Sequence, residues 1–473
     1  MLKNYQGNIV KLSVIILAAG RGSRMGAGLP KVLRPIMGQP MLHHVLHTVS
    51  GLEPEQILSV IGVDAELVKQ SIQSDPFFPK VTWVNQAEQL GTAHAVQQAL
   101  PHIPDDHQIL VMLGDVPGVT LEDLQSLVQK AESGFALMTT RLKNPTGFGR
   151  VLRDDAHKVI GVVEQVDATE AEQRINEINA GIMTMPANFL KQALPLITAD
   201  NQQKEYYLPD VLPIWLKKNS NIQVHTVADS TSVHGVNTMR DLQMVDQFMQ
   251  RRLIDRWMQK GVWVHDPNRL VIRGPVSVSQ GAELDVDVTL CGHTEVHAGA
   301  VIGVGCILRN CTIAAGVEVR PYSILEEVTI AKDARIGPFA VITAETKIGE
   351  ASELGCFVEV KRSNIGAKVK AKHLTYIGDA HIEHGVNIGA GVVVCNYDGA
   401  NKHRTQIKEK AFVGANVNLV APVVVHEKAF IAAGTTVRSD APAEQLTLAT
   451  VPERHIKNWH RPCKSSQNKS ESS

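Results

Sequence analysis

The sequence predicts an α/β domain, a linking helix and a parallel β-helix, in that order along 473 residues. From about residue 12 to 235, short apolar runs alternate with helical patterns, which is typical of a doubly wound α/β domain. Residues 239–260 contain few helix breakers and end at Gly261, which predicts a long helix. From residue 301 onward, aliphatic residues recur at every sixth position, a period that fits a β-helix. We therefore expect domains at 1–238 and 261–459, the linking helix at 239–260, and a polar, disordered tail at 460–473.

The overall composition excludes several classes of protein. The 47 basic and 48 acidic residues nearly cancel, which argues against a surface that binds nucleic acid. No apolar run approaches the ~18–20 residues that cross a bilayer, so we expect no membrane insertion. The first apolar run is too short for a signal peptide and leads directly into a glycine-rich loop, which favours a cytoplasmic protein.

The cysteines form no C-x-x-C pair and have no histidine at the spacing of a zinc site. We expect them to be small, buried apolar residues in a reducing compartment. They are Cys291, Cys306, Cys311, Cys356, Cys395 and Cys463.

A glycine-rich, basic segment follows the first predicted strand. The apolar run 14–16 predicts a buried parallel strand, and residues 17–25 then contain small residues that let the backbone approach a ligand. Arg21, Arg24 and Lys31 supply positive charge, so this loop and the helix expected after it predict a cradle for phosphates. The segment is neither a dinucleotide fingerprint nor a P-loop, and we expect its ligand to be a nucleoside triphosphate.

A second buried strand is predicted at residues 109–113, and it ends in Gly114 and Asp115. Open α/β sheets bind ligands at the carboxyl ends of their strands. Asp115 is therefore a candidate ligand of Mg²⁺, which prefers hard oxygen donors.

The hexad pattern predicts which aliphatic side chains fill the narrow interior of the β-helix. One run is Val301, Ile307, Ile313, Val319 and Leu325; the next is Ile330, Ile336, Ile342, Ile348, Leu354 and Val360; and the third is Ile407, Val413, Leu419, Val425, Ile431 and Val437. The polar segment 396–404 interrupts the pattern before the third run and predicts a projecting loop, where function is often found.

Several longer strings carry a family resemblance. The string L-A-A-G-x-G-S-x-M, followed by Pro30 and Lys31, resembles the signature of the sugar-1-phosphate nucleotidyltransferases. With the linking helix and the hexad repeats, the chain resembles the bifunctional family that joins N-acetylglucosamine-1-phosphate uridylyltransferase to glucosamine-1-phosphate N-acetyltransferase. The resemblance extends from Ser13 to about Pro462. The further matching strings are QAEQLGT at 86–92, PTGFGR at 145–150, EYY at 205–207, HLTYIGD at 373–379, NIGAG at 387–391 and CNYDGAN at 395–401.

The resemblance implies a fold, an assembly and two reactions. The fold would be a nucleotidyltransferase (Rossmann-like) domain and a left-handed β-helix, assembled as a homotrimer with acetyltransferase sites between subunits. Acetyl-CoA would acetylate glucosamine-1-phosphate. UTP and Mg²⁺ would then convert N-acetylglucosamine-1-phosphate to UDP-N-acetylglucosamine and pyrophosphate, for the peptidoglycan and lipopolysaccharide of the cell envelope.

The uridylyl reaction brings anions together, so cations and a metal must hold the triphosphate. Arg24 and Lys31 are the candidate catalytic cations, and the resemblance adds Asn237 to Asp115 as the second metal ligand. By the same resemblance, the nucleotide and sugar sites include Leu17, Ala18, Ala19, Gly20, Gln86, Gly91, Thr92, Leu113, Gly114, Gly149, Glu164 and Asn179. Glutamine suits the edge of uracil, because its amide both donates and accepts hydrogen bonds.

Acetyl transfer needs the amine in its neutral form, and a histidine is a natural general base for that purpose. The resemblance assigns this role to His373. It assigns glucosamine phosphate contacts to Lys361, Tyr376 and Asn387, and acetyl-CoA contacts to Ala390, Asn396, Tyr397, Ala415 and Ala433.

The chain departs from the family pattern in both halves. Leu113, Ala93 and Ala180 replace a tyrosine, a glycine and a threonine near the nucleotide or sugar, which puts sugar specificity in doubt. In the second half, Thr343 and Thr450 replace arginines and Ala415 replaces a serine. We expect acetyl transfer to persist with weakened or altered substrate binding. The alternatives are a uridylyltransferase with a degenerate, scaffold-type β-helix, and a paralogue that acts on another amino-sugar phosphate.

Overall fold

The computed structural model describes residues 11–20, 22, 25, 26, 28–62, 64–73, 80–131, 134–219, 221–449 and 454–461. The chain divides into two compact units, Met1–Thr294 and Glu295–Ser473. Arg21, Arg24, Thr450, Cys463 and the tail from residue 462 lie outside the described residues.

The first unit begins with an α/β domain. Its strands and α-helices, up to the long helix, are β1 Leu12–Leu17, β2 Pro35–Ile36, β3 Gln39–Pro40, α1 Met41–Ser50, β4 Gln56–Ile61, α2 Ala65–Gln73, β5 Val81–Asn85, α3 Thr92–Ala99, β6 Gln108–Leu113, α4 Leu121–Ala131, β7 Ala136–Arg141, β8 Arg150–Arg153, β9 Val159–Val163, α5 Glu170–Gln173, β10 Glu177–Pro186, α6 Ala187–Ala193, α7 Val211–Leu216, β11 Gln223–Val227 and α8 Met239–Gln259.

The main sheet of this domain is mixed. Its strand order is β11-β7-β10-β6-β1-β4-β5, and β10 is antiparallel to both β6 and β7 while the other neighbours are parallel. Val14 and Ile16 pack into one core and Ile15 into the core on the opposite face. Because both faces of β1 are covered, its sequence from Val14 to Leu17 is continuously apolar.

The expectation of a helix directly after the glycine-rich loop is wrong. Lys31–Leu33 form a short 3-10 turn, and the first α-helix begins only at Met41. The short β2–β3 hairpin lies between the turn and this helix, and it begins with Pro35 and ends with Pro40. Proline lacks the N–H that a continuing helix needs.

The linking helix α8 begins and ends with clear signals. The Thr238 side chain accepts from the Asp241 N–H while the Asp241 carboxylate accepts from the Thr238 N–H, which forms a capping box. The helix ends at Gln259 with Lys260 as its C-cap, and Gly261 follows with φ +86°, a conformation that suits glycine. The first strands of the β-helix also belong to this unit: β12 Trp263–Val264, β13 Val271–Arg273, β14 Val276–Val278, β15 Glu283–Leu284 and β16 Thr289–Cys291.

From Thr294 onward the chain forms short parallel strands. They are β17 Thr294–Val296, β18 Val301–Ile302, β19 Ile307–Arg309, β20 Thr312–Ile313, β21 Glu318–Val319, β22 Ile324–Glu326, β23 Val328–Ile330, β24 Arg335–Ile336, β25 Val341–Thr343, β26 Thr346–Ile348, β27 Glu353–Lys361, β28 Asn364–Ile365, β29 Lys370–Gly378, β30 Ala380–Ile382, β31 Asn387–Ile388, β32 Val393–Cys395, β33 Thr405–Ile407, β34 Phe412–Val413, β35 Asn418–Val420, β36 Val423–Val425, β37 Phe430–Ile431, β38 Thr436–Val437 and β39 Leu446–Thr447.

Equivalent strands of successive coils pair in parallel. Val301 is the register partner of Glu318, whereas Ala380 is the partner of Thr405 because the polar segment 396–404 is inserted between them. The three corners of each coil carry residues with positive φ, many of them not glycine. One corner is made by Tyr322, Phe339, Phe357, Leu374, Gly391, Asn416 and Gly434.

The hexad frame is wrong for the first two residues of its first run. Val301 and Ile307 are 36% and 39% exposed, and the fully buried residues are their neighbours Ile302 and Leu308. From Ile313 onward the predicted residues fill the interior, and the third run is buried throughout. Strands alternate their side chains between two faces, so a shift of one residue exchanges inside for outside.

The cysteine expectation holds for three of the five described residues. Cys291, Cys306 and Cys311 are buried, but Cys356 and Cys395 are half-exposed. No helix among the described residues is long and apolar enough to cross a membrane.

Candidate active sites

Lys31, Asp115 and Asn237 meet in the α/β domain. Lys31 lies in the 3-10 turn after the glycine-rich loop, Asp115 follows β6, and Asn237 precedes α8. The Lys31 ammonium donates to Asp115 Oδ2 and, at 2.8 Å, to Asn237 Oδ1. Both oxygens therefore lie within reach of one cation.

A cavity of about 240 Å³ lies on one side of Asp115. It is lined by most of the predicted nucleotide residues, namely Leu17, Ala18, Ala19, Gly20, Lys31, Gln86, Gly91, Thr92, Leu113 and Asp115. The predicted residue Gly114 is not part of this lining. Its N–H donates to the Leu17 carbonyl at 2.9 Å, and this hydrogen bond joins the ends of β6 and β1.

A second cavity, of about 420 Å³, lies on the other side. It contains the predicted sugar residues Gly149, Glu164 and Asn179, and also Asn237. The two cavities share Leu17, Thr92, Leu113 and Asp115. Two ligands bound in these cavities would therefore meet at Asp115.

The segment that starts at Glu205 forms a wall of the first cavity. The backbone N–H of Tyr206 donates to the Leu90 carbonyl at 2.8 Å, and the Tyr206 carbonyl accepts from the Ala93 N–H at 2.9 Å. Gly91 has φ +114°, and a Cβ there would lie 2.5 Å from the Tyr206 carbonyl oxygen, so only glycine fits. Gln86 is buried, and its amide donates to the Gly91 carbonyl at 3.3 Å.

The predicted residue Glu164, which lines the second cavity, has two carboxylate neighbours that sequence reasoning did not find, Asp210 and Asp167. Burial, followed by the charges of Asp210 and Asp167, raises the pKa of Glu164, and burial likewise raises the pKa of Asp210. Burial and these charges raise the pKa of Tyr207 to about 12. Isolated acidic residues on separate loops give no spacing signal, so only the fold shows this cluster.

Two of the three departures noted in the first half, Leu113 and Ala180, lie at this cavity, whereas Ala93 lies in α3 and lines neither cavity. Leu113 borders both cavities, and a Cβ on Gly181 would lie 2.5 Å from its side chain. Ala180 lines the second cavity and is buried. The wall shared by Leu113 and Ala180 offers no hydroxyl to a sugar.

The donor set at Asp115 and Asn237 fits Mg²⁺. A carboxylate and an amide oxygen are hard ligands, and Mg²⁺ usually takes few protein ligands and completes its shell with water and phosphate. In the described part of the chain, no group of three or more His, Cys, Asp or Glu side chains is placed to hold a metal. A two-ligand site that also uses substrate phosphates therefore matches this structure.

Predicted acetyl-transfer residues follow one corner of the β-helix. The His373 carbonyl accepts from the Gly391 N–H at 3.4 Å; the Ala390 carbonyl accepts from Asn416, and the Ala415 carbonyl from Gly434, both at 2.8 Å. These bonds align His373, Ala390, Ala415 and Ala433 in successive coils. The three alanines leave a surface track without large side chains beyond the exposed His373.

Lys361, Tyr376 and Asn396 lie around a second corner. Lys361 is the register partner of Gly378, and a Cβ on Gly378 would lie within 2.6 Å of the Tyr376 hydroxyl and the Asn396 amide. Glycine at 378 therefore lets the two polar side chains approach each other. Asn387 belongs to neither corner group. It begins β31 and is the register partner of Lys370 on β29.

Asp379 holds this second corner together and was not found from the sequence. Its carboxylate accepts from Arg362 at 2.7 and 2.9 Å and from the Asn396 amide. The Arg362 guanidinium, more than any other group, lowers the pKa of Asp379. Asp379 thereby fixes the start of the inserted polar segment.

The inserted segment is an ordered turn. The Asp398 carboxylate accepts from the N–H groups of Ala400 and Asn401 at 2.8 and 2.6 Å and contacts His403 Nε2 at 2.7 Å. These contacts lower the pKa of Asp398. Tyr397 is 59% exposed on this turn.

Two departures from the family pattern in the second half lie among the described residues. Thr343, where the family pattern has arginine, is the register partner of Lys361 on the adjacent strand. Ala415, where the pattern has serine, lies in the column of His373. Each departure removes a polar group beside a residue of the predicted acetyltransferase site.

The fold and these sites define a nucleotidyltransferase domain joined to a hexad-repeat β-helix. Residues 14–175 match the family model of the MobA-like NTP transferase domain. Three curated relatives are each named "Bifunctional protein GlmU". The protein from Alkalilimnicola ehrlichii is 45% identical over 95% of this chain and 96% of its own length. Those from Azoarcus sp. and Marinobacter nauticus are 43% and 41% identical over 96% of this chain and 100% and 99% of their own lengths.

The chain therefore belongs to the GlmU family. It is a bifunctional uridylyltransferase and acetyltransferase with a nucleotidyltransferase domain, a linking helix and a left-handed parallel β-helix, as the resemblance implied.

Proposed function

We propose that this protein makes UDP-N-acetylglucosamine in two steps. Its β-helix transfers acetyl from acetyl-CoA to glucosamine-1-phosphate, and its α/β domain then joins N-acetylglucosamine-1-phosphate to UTP and releases pyrophosphate. The observation that carries the second step is the pair of cavities that meet at Asp115. A triphosphate in one and a sugar phosphate in the other would bring the two reacting phosphates together.

In the uridylyl step, the chain's main task is to hold and neutralise anions. We assign the uracil edge to Gln86 and the approach of the triphosphate to Gly20 and Lys31, with Arg24 as the second cation. Asp115 and Asn237 would hold Mg²⁺, which supplies positive charge against the phosphates when bound. Lys31 contacts both of these oxygens, so its ammonium is already directed to the place where phosphate charge accumulates.

In the acetyl step, we assign proton removal from the amine to His373. Its exposed imidazole lies at the end of a track of alanines, which is open to an extended thioester ligand. Lys361 supplies positive charge for the sugar phosphate, and Tyr376 and Asn387 supply polar contacts. We assign Asn396, Tyr397, Ala390, Ala415 and Ala433 to acetyl-CoA.

We further propose a homotrimer in the cytoplasm. Tyr322, Phe339 and Phe357 are 53%, 45% and 58% exposed, and their rings stack at 5.5 and 5.4 Å. Leu374, 63% exposed, follows at the same corner. A continuous apolar ridge of this kind is typical of an interface, and it adjoins His373, so a second copy seated there would complete the acetyltransferase site.

The two half-reactions test this proposal separately. The unmodified protein should release pyrophosphate from UTP and N-acetylglucosamine-1-phosphate with Mg²⁺, and consume acetyl-CoA with glucosamine-1-phosphate. His373→Ala should abolish acetyl transfer and leave uridylyl transfer unchanged. An intact uridylyl reaction with no acetyl transfer by the unmodified protein would instead support a scaffold-type β-helix.

A second candidate substrate deserves a parallel assay, because Leu113 and Ala180 make the sugar wall apolar. A paralogue that acts on another amino-sugar phosphate would show a higher kcat/KM for that sugar in both half-reactions. Glucosamine-1-phosphate and galactosamine-1-phosphate, with their N-acetyl forms, are the direct comparison.

A further inference from the structure

His373 has a neighbour that the proposed mechanism does not use. Cys356 is its register partner on the adjacent strand β27. The Cys356 sulfur lies 3.5 Å from Nδ1 of His373 and 3.8 Å from the backbone oxygen of Lys372. One half-exposed thiol therefore contacts both the proposed base and a hydrogen-bond acceptor beside it.

The backbone is shaped to make this contact. Gly355 precedes Cys356, and a Cβ on Gly355 would collide with the Lys372 carbonyl oxygen. Only glycine allows β27 to approach β29 so closely at this point. The approach places the Cys356 sulfur beside the imidazole.

We propose that Cys356 is a positioning residue for His373, an inference that rests on the proposed acetyltransferase function. The Cys356 S–H donates to the Lys372 carbonyl, and its sulfur accepts the Nδ1–H of His373. A neutral imidazole carries one proton, so a proton held at Nδ1 leaves the lone pair on Nε2. Nε2 is then the atom that takes the proton from the amine as the amine nitrogen bonds to the acetyl carbon. The carbon–sulfur bond of the thioester then breaks, and the leaving thiolate of coenzyme A receives that proton from His373.

The charged groups around this pair are already engaged with each other. The Lys372 ammonium contacts the Glu353 carboxylate at 2.6 Å. Coulombic attraction from Lys370 and Arg335 also acts on Glu353. Among the described contacts of the His373 ring, the Cys356 thiol is the one that can determine which ring nitrogen carries the proton.

Two substitutions separate positioning from packing. Cys356→Ala removes both polar roles and should lower kcat of acetyl transfer about tenfold, a fraction of the effect of losing a general base. KM for acetyl-CoA and glucosamine-1-phosphate should change less than about twofold, because the thiol binds neither substrate. Cys356→Ser keeps a donor and an acceptor and should recover most of the lost rate.

The chain supplies a matched control. Cys395 is also half-exposed, but its sulfur contacts the Val393 carbonyl of its own strand at 3.9 Å. Cys395→Ala should retain the kcat of the unmodified protein. Uridylyl transfer, measured on every variant, should be unchanged. The circular dichroism and thermal unfolding of each variant should match those of the unmodified protein, which shows that the β-helix is folded.

The pH dependence of kcat/KM distinguishes positioning from packing, because a change in packing alone does not shift it. Cys356→Asp places a carboxylate where it accepts the Nδ1–H and stabilises the imidazolium, so the acidic limb of kcat/KM for acetyl transfer should move to higher pH. An unshifted limb, an unchanged kcat in Cys356→Ala, or equal losses in the alanine and serine variants would each overturn the positioning role. Absence of acetyl transfer in the unmodified protein would overturn the proposed function itself, which is a different result.

Discussion

The two candidate sites are built in different ways. The uridylyl site collects side chains from the ends of β1, β6 and the segment before α8 around two adjoining cavities. The acetyl site is spread along exposed corners of a repeating coil, with His373 at one corner and Lys361 at another. The first holds its groups around one point within a single chain, whereas the second presents them on a surface that a second copy would have to cover.

Loss of Asp115 tests the uridylyl site and should give the largest effect. Asp115→Asn removes the carboxylate at the meeting point of the two cavities. Uridylyl transfer should fall by at least about a hundredfold, because metal and cation placement supplies most of the stabilisation in such a reaction. The measurement is pyrophosphate release at saturating UTP and Mg²⁺.

The same variant sharpens the contrast between the regions. Acetyl transfer by Asp115→Asn should match that of the unmodified protein. Asp106→Asn is the control, because Asp106 is exposed and pairs only at the surface with Lys11. A similar loss in both variants would show a general effect of charge rather than a role for Asp115.

The interior of the β-helix tests the corrected frame of the repeat. Ile313 is fully buried, whereas Ile307, one hexad earlier, is 39% exposed. Ile313→Ala should lower the free energy of unfolding by about 2–5 kcal/mol, and Ile307→Ala by less than about 1 kcal/mol. Chemical unfolding followed by circular dichroism gives both values, and equal losses would contradict the frame.

Sequence reasoning was strongest where local patterns determine the structure. The long helix, the α/β alternation and most of the hexads follow from composition and period, and the residues 17–20 that line the first cavity belong to a continuous motif. The frame error at Val301 arose because two aliphatic residues stand side by side at 301–302 and 307–308, and period alone does not choose between them. Cys356 and Asp379 gave no signal, because their partners are set by the length of a coil.

A substitution that adds a positive charge tests whether the acetyltransferase site lacks a contact to the phosphate of its substrate. Thr343→Arg places a guanidinium on the strand beside Lys361. KM for glucosamine-1-phosphate should fall by about ten- to a hundredfold, since a charge-assisted hydrogen bond contributes about 1.5–3 kcal/mol. Steady-state kinetics of acetyl transfer measures it.

A control on the same strand excludes a general electrostatic gain. Val341→Arg adds the same charge two residues earlier, opposite Glu359. It should leave KM within about twofold of the original value if a specific contact is required. An equal fall in both variants would contradict the assignment of Thr343 to the phosphate site.

The smallest effects concern two carboxylates, one in each region, whose pKa values shift in opposite directions. The Arg362 guanidinium lowers the pKa of Asp379, so its ionised form stabilises the fold above the unfolded value of about 3.9. This contribution should disappear as the pH falls through the lowered folded value. Unfolding of Asp379→Asn, compared with the original protein between pH 3 and 7, should show a constant deficit above about pH 5 that shrinks in acid.

Glu164 should behave in the reverse manner. Burial raises its pKa, so the ionised form opposes folding and the protonated form does not. Glu164→Gln should therefore be more stable than the original protein near neutral pH, and this difference should close as the pH falls through the raised folded value. The same unfolding series measures it, and parallel pH dependences for Asp379→Asn and Glu164→Gln would contradict the contrast. Opposite slopes are expected because burial desolvates the Glu164 carboxylate, whereas the Asp379 carboxylate pairs with a guanidinium.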